Sequence, residues 1–365
     1  MTSAKTMRLA ALGAVASIVL AACSGSTATP APSVAPSVAP STGASAAPSQ
    51  APTGELPAPE LTSLKIGLSN TEMSEWAAII AVEKEILKGY GIDAEYSIFE
   101  GDAKVIAAVQ AGQIDVGING VSSVISSQLT DVPLVVLGVN AIVLTDDLVC
   151  QAGIDTAEEV KGQTVAISTF GGTSHGAALL SVDSLGLEPT DATYTLVGNQ
   201  TARIAAVVAG SAGCAVVDTN KQAEMKSLGL SIAAQLKTAG IPWGRAGFQT
   251  TKDFVAKYPN TTLVLVASFL EGQQVIWEDP EYVIGLHQQV TGSSPEEAKI
   301  QVEDFATVGN RTLNWPDEAF LNPRKVMAAV NPDVVDLEIG SAFDRSFLEK
   351  LVELGFNEKI GAPTE

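Results

Sequence analysis

The chain has 365 residues, with 41 Asp and Glu against 21 Lys and Arg, a formal net charge of −20. Such a charge speaks against nucleic acid as a partner and against adsorption to anionic lipid, and its bulk field repels small anions, so any anion site has to be built locally. Two histidines, His175 and His287, and three cysteines in no metal-ligand spacing give no reason to expect a metal centre or a cofactor.

The first element is a leader. Lys5 and Arg8 make a short positive segment, Leu9 to Leu20 an apolar run, and Leu20-Ala21-Ala22-Cys23 closes it. The run is shorter than the ~20 residues a spanning helix needs. Small residues before a cysteine resemble a bacterial lipoprotein signal, which implies removal of residues 1–22 and lipid on Cys23. An ordinary signal peptide or a short anchor would not call for the cysteine. Residues 23–61 follow as a stretch of Ser, Ala, Pro, Thr and Gly with imperfect PSVAPSVAPS and AAPSQAP repeats. It has too little apolar side chain to offset the entropy of ordering it and reads as an extended tether.

From residue 62 short β-type runs alternate with helical ones, which predicts α/β architecture. Strands are expected at 64–68, 92–99, 114–118 and 134–139, with helices at 75–88, at 102–111 with Asp102 as its N-cap, and from Ser122. After Ile154 the same order restarts: a short helix opens at Thr156, strands follow at 164–168, 193–197 and 214–217, and helices at 174–185 and 201–209. The segment 258–361 reads as mostly helical, with Pro259, Pro280, Pro295, Pro316, Pro323 and Pro332 near helix starts.

The stretch GYGIDAEYSIFEGDAKVIAAVQAGQIDVGINGVSSV at 89–124 resembles the first lobe of the nitrate, sulfonate, taurine and thiamine-pyrimidine substrate-binding proteins of ABC importers. Glu159-Val160-Lys161-Gly162-Gln163-Thr164-Val165-Ala166, Gly171-Gly172-Thr173-Ser174-His175 and Gly186-Leu187 with Pro189 to Asp191 resemble the second lobe. The resemblance runs over about 62–310. One departure lies at Gly213 to Asn220, where the family often carries Asp-Ala before the strand, which leaves the second-lobe wall less defined. The resemblance implies a two-lobed type II periplasmic-binding-protein fold, each lobe a mixed sheet flanked by helices with a cleft between them. Lobe 1 would be 62–148 plus 246–365 and lobe 2 149–245.

In open α/β sheets ligands bind beyond the carboxyl ends of strands, against helix N-termini. Three strand-to-helix loops here are rich in hydroxyl and amide side chains: Ser69-Asn70-Thr71, Asn119 with Ser122 and Ser123, and Thr169 to Ser174 including Gly172 and Thr173. Each reads either as an oxyanion site made of free N–H groups and hydroxyls or simply as helix caps. Trp76 reads as a stacking surface or a core residue. His175, in the first turn of its helix, reads as a structural hydrogen-bonding residue or a ligand. Asp218 reads as an acceptor at the cleft or a turn residue, and Arg203 as an anion contact or a surface ion pair. Arg245 is the only other arginine near the second lobe. Cys150 and Cys214 remain after lipidation and read as a disulfide or as two small buried hydrophobes.

No nucleophile–base set, paired-carboxylate motif or phosphate loop is present. Together with this, the resemblance implies a monomeric, lipid-anchored extracytoplasmic binding protein without catalytic residues, with a small polar or anionic solute (nitrate, sulfonate, taurine or pyrimidine class) and an ABC permease as partners. The alternatives are an enzyme on the same fold, of the pyrimidine-forming or menaquinone-pathway type, and a sensory lipoprotein.

Overall fold

The computed structural model describes residues 53–328 and 331–364. The leader, Cys23 and the tether up to residue 52 lie outside the described residues. No helix among the described residues is long and apolar enough to cross a membrane.

Ten strands form two sheets: β1 (Ser63–Leu68), β2 (Asp93–Ile98), β3 (Val116–Asn119), β4 (Leu134–Val143), β5 (Asp146–Cys150), β6 (Thr164–Ile167), β7 (Thr193–Leu196), β8 (Cys214–Asp218), β9 (Ser231–Gln235) and β10 (Pro242–Thr251). The first sheet runs β2-β1-β3-β10-β4 and the second β7-β6-β8-β5-β9. In each, one strand runs against the other four: β10 is antiparallel to its neighbours β3 and β4, and β5 to its neighbours β8 and β9. The chain crosses from the first sheet to the second at Leu144–Thr145 and returns through residues 236–241.

The second sheet is covered on both faces, and side-chain alternation sorts its strands between two cores. Leu148, Cys150, Val165, Ile167, Cys214 and Val216 enter one core; Val149, Ala166, Ala215 and Val217 enter the other with Ile204, Val207 and Met225. The first sheet is buried against a larger cluster that includes Trp76, Phe248, Phe269 and Phe356. Helices Pro259–Glu278, Pro280–Thr291 and Pro295–Ala306 each begin on a proline, whose fixed φ suits the first turn. Pro323, by contrast, lies inside the helix Glu318–Ala328.

Several expectations need correction. The helix expected at 75–88 begins as a 3-10 turn at Met73–Glu75, continues as Trp76–Glu83, and restarts at Ile86–Gly89 after Glu85, whose φ is 56°. Asp102 opens the helix Asp102–Gln110, but Gly101 is its N-cap residue. β5, β9 and β10 escape the sequence pattern. β5 opens on two acids and β10 reads PWGRAGFQTT, so composition marks them as loops. Consequently Asp146 to Leu148, placed above in lobe 1, belong to the second sheet, and Pro242 to Arg245, placed in lobe 2, belong to the first.

Residues 53–61 are not free tether either. The Glu60 carboxylate accepts from the Asn260 and Thr261 amides at 2.9 and 2.6 Å, at the start of helix Pro259–Glu278. The Leu61 amide donates to Thr261 Oγ1 at 3.0 Å, and the Gly54 amide to the Leu354 carbonyl at 2.7 Å.

Cys150 stands opposite Cys214 in the β5–β8 ladder, and their sulfurs are bonded.

Candidate functional site

The carboxyl ends of β1, β3, β6 and β8 converge between the two sheets, as the parallel strand order requires. There a cavity of about 70 Å³ is lined by Ser69, Asn70, Glu75, Asp102 and Gly120 from one side and by Ser168, Thr173, Ser174, Gln200 and Arg203 from the other. Glu72, Asp146 and Arg245 complete the wall. A wider vestibule of about 450 Å³ shares Ser69, Asn70, Glu72, Asn199 and Gln200 with it and adds Thr71, His287 and Gln301.

Arg245, on β10 and buried, is paired through both of its terminal nitrogens. Its Nη1 donates to Thr145 Oγ1 at 2.5 Å and Asp146 Oδ2 at 2.7 Å, and its Nη2 to Glu72 Oε2 at 3.0 Å. Nη2 also pairs with Asp218. Burial works against its charge, but Asp146, Asp218 and Glu72 together hold its pKa above the ordinary arginine value. Burial pushes Asp146 up to about 6; Arg245 opposes that shift, and Asp218 and Glu72 add to it. Asp218 is further held by Thr145 Oγ1, which donates at 2.7 Å.

Glu75 is 1% exposed and accepts from the Ser69 amide at 2.8 Å and the Ser69 hydroxyl at 2.5 Å. Burial, with Asp102 and Glu72 nearby, pushes its carboxyl well above the usual range. Asp102 accepts from Ser123 Oγ at 2.9 Å. It also lies against Gly120 and the far lobe: a methyl on Gly120 would lie 2.7 Å from Asp102 Oδ2 and run into Thr173 Oγ1, and one on Gly172 of the far lobe would lie 3.5 Å from the same Oδ2. Only glycine fits at 120.

Arg203 is different from Arg245. It is 5% exposed on helix Gln200–Val208, and its Nε and Nη1 have no protein partner. No carboxylate lies within ion-pair distance of it among the described residues. Burial lowers its pKa; Glu72 and Asp146 partly offset that from a distance. A buried guanidinium left in this state is costly unless something supplies an acceptor.

The family model for NMT1/THI5-like proteins matches residues 75–283, more than half of the chain. The chain belongs to the NMT1/THI5-like family. No curated protein sequence matches it. Among solved structures it is similar to the alkanesulfonate-binding protein SsuA of Xanthomonas axonopodis pv. citri bound to MOPS, at 16% identity and TM-score 0.65 over 78% of this chain and 99% of that one. The periplasmic aliphatic sulphonate-binding protein SsuA of Escherichia coli is similar at 18% identity and TM-score 0.60, over 75% and 88%. The periplasmic nitrate-binding protein NrtA of Synechocystis PCC 6803 is similar at 15% and 0.60, over 84% and 89%. The family and the two-lobed periplasmic-binding-protein fold expected from the sequence are borne out.

The structure of this NMT1/THI5-like chain sorts the expected site residues by place. Ser69, Asn70, Thr173 and Ser174 line the inner cavity, and Thr71 the vestibule. The hydroxyls are already engaged: Ser174 Oγ accepts from the Ser168 amide at 2.8 Å and meets Ser168 Oγ at 2.7 Å, and Thr173 Oγ1 donates to the Arg245 carbonyl at 3.3 Å. Gly172, next to Asp102, and Thr169, whose carbonyl accepts the Gly172 amide at 3.2 Å, shape the loop behind them. Asn119 and Ser122 are buried off the cavity, and Ser123 holds Asp102. Trp76 lies in the core, donates to the Thr71 carbonyl at 3.0 Å and stacks on His287 at 4.8 Å. Asp218 is bound to Arg245.

His175 Nδ1 accepts the Gly171 amide at 3.0 Å, a contact that the positive φ of Gly171 allows. Among the described residues no three His, Cys, Asp or Glu side chains are grouped to hold a metal ion. Sequence reasoning passed over Glu72, Glu75, Asp146, Ser168 and Gln200, and took Asp102 only as a cap. The one available signal for Asp102 and Glu75 was an acid directly after a strand-to-helix loop.

Proposed function

We propose that this chain is an extracytoplasmic solute-binding protein, lipid-anchored at Cys23, that captures a small charged solute between its lobes and delivers it to an ABC permease. The observation that carries the reading is the inner cavity, whose polar walls come from both lobes and include a buried, unpartnered guanidinium. Family membership and the likeness to sulfonate- and nitrate-binding proteins support the same reading. With lobe 1 taken as about 62–143 plus 242–365 and lobe 2 as about 146–235, two short crossovers serve as the hinge. Solute bound to both lobes then favours the closed arrangement by its extra contacts there.

The test is native mass spectrometry of the mature chain as purified, followed by calorimetry with the solute found. A stoichiometric small molecule that rebinds with a saturable isotherm is the expected result. A protein that neither carries nor binds any small molecule would refute a solute-binding role. The anchor is checked separately: Cys23→Ala should move the chain from the membrane to the soluble fraction.

A further inference from the structure

The charges around the inner cavity define the solute more narrowly. Five carboxylates, Glu72, Glu75, Asp102, Asp146 and Asp218, surround two guanidinium groups. Arg245 spends itself on three of the acids. What faces the open space is Arg203, without a protein acceptor, and Glu75 and Asp102, whose protein partners are neutral donors. A purely anionic solute would satisfy Arg203 but set its oxygens against the Asp102 carboxylate in a low-dielectric pocket, where Asp102 has only the Ser123 hydroxyl as donor. A purely cationic one would leave Arg203 buried without a partner. Both are costly.

Resting on the solute-binding reading, we propose that the solute is a small zwitterion. Its acid group pairs with Arg203, and its ammonium group faces Asp102 and Glu75. The cavity's size agrees, since about 70 Å³ holds roughly five water-sized groups, the scale of a two- or three-carbon amino acid. The vestibule beyond Asn70 and Gln200 gives such a solute its way in.

The experiment compares near-isosteric solutes by calorimetry on the mature chain, freed of bound solute. Glycine, β-alanine and taurine carry both charges; propionate and ethanesulfonate carry only the acid group, and propylamine only the amine. At least one zwitterion should bind ten- to hundredfold more tightly than either of its single-charge counterparts, the range expected for one lost charged hydrogen bond. β-Alanine against taurine tells whether Arg203 prefers carboxylate or sulfonate. Arg203→Gln should erase the preference of the zwitterion over propylamine. Asp102→Asn should erase its preference over the acids, and Arg203→Lys should keep most of both. Ratios within one folded variant are unaffected by losses of stability.

A single-charge solute that binds as well as its zwitterion overturns the proposal. So does a chain that carries some other solute and ignores all three zwitterions; both outcomes leave the solute-binding role intact. A chain that binds nothing at all removes the role itself, and the zwitterion with it.

Discussion

Arg245 of β10 holds Asp146 of β5 at 2.7 Å, so a buried ion pair joins the two sheets at the point where the chain crosses between them. The same guanidinium reaches Glu72 in the loop after β1 and Asp218 at the end of β8. One side chain thus ties together four elements of both lobes.

Removing that side chain strands three acids. Arg245→Met should cost about 3–5 kcal/mol in chemical denaturation, as breaking a buried pair does. Adding Asp146→Asn to it should recover part of the loss by removing one stranded charge. An unchanged denaturation midpoint in the single variant would show that the cluster contributes nothing to stability.

Asp147 gives a pH signature. Burial pushes its carboxyl up to about 6; Gln222 opposes that shift, while Asp146 and Asp218 add to it. In the unfolded chain it titrates near ~3.9. Between those values the folded chain keeps a proton the unfolded chain has lost, so stability falls as pH rises from about 4 to about 6 and stays lower above. Asp147→Asn should therefore gain on the wild type across that window and keep the advantage at neutral pH. Melting of the pair at pH 4 and pH 7 reads this directly, and equal differences at the two pH values would exclude it.

The N-terminal boundary can be placed by trimming. A chain beginning at Leu61 loses the Glu60 carboxylate from the start of helix Pro259–Glu278, and with it a cap and a favourable charge. It should be less stable than one beginning at Thr53 by about 1–2 kcal/mol, with solute affinity unchanged. Glu60→Ala in the longer chain should reproduce most of the difference. Equal melting of the two lengths would put the boundary back at residue 61.

Ser174 separates a structural hydroxyl from a binding one. Its Oγ is spent on Ser168, so Ser174→Ala should lower stability by about 1 kcal/mol and leave affinity nearly as it was. A variant that melts normally and binds poorly would reverse that assignment.

In a chain beginning at Thr53, Cys150 and Cys214 should give no free thiol in denaturant without reductant. Changing both to Ala should cost about 2–4 kcal/mol, because the bridge closes a chain loop spanning a sequence separation of 64. Two titratable thiols would refute the bridge.

The apolar grammar of this fold was legible. Thr164–Ile167 announces a strand because a sheet covered on both faces needs near-continuous hydrophobic strands, and Leu64–Leu68 does so by alternation, with Lys65 exposed between buried Leu64 and Ile66. Ser69, Asn70, Thr173 and Ser174 were also placed by rule, since strand-to-helix loops at carboxyl ends face the cleft. The charged part of the site was legible only at Asp218 and Arg203, each of which had a cleft role among its readings. A periodic pattern treats Glu75, Asp146 and Arg245 as solvent-facing, and for Arg203 it left an anion contact and a surface ion pair both open. Their burial depends on partners as far apart as Glu72 and Arg245, 173 positions away in sequence. β10 stayed hidden for the same reason: its Arg245 and Gln249 are buried polar residues, and its glycines are there for close packing.

The place of β10 between β3 and β4 has a consequence for a chain that emerges N-terminus first. Until Pro242–Thr251 arrives, β3 and β4 have no common partner, and their facing edges stay unpaired. The second sheet is made wholly of residues from Asp146 to Gln235 and can zip up in the meantime. Assembly is then inside-out along the sequence: the inserted lobe closes first, and the lobe that carries both ends of the folded chain closes last, around the returning strand.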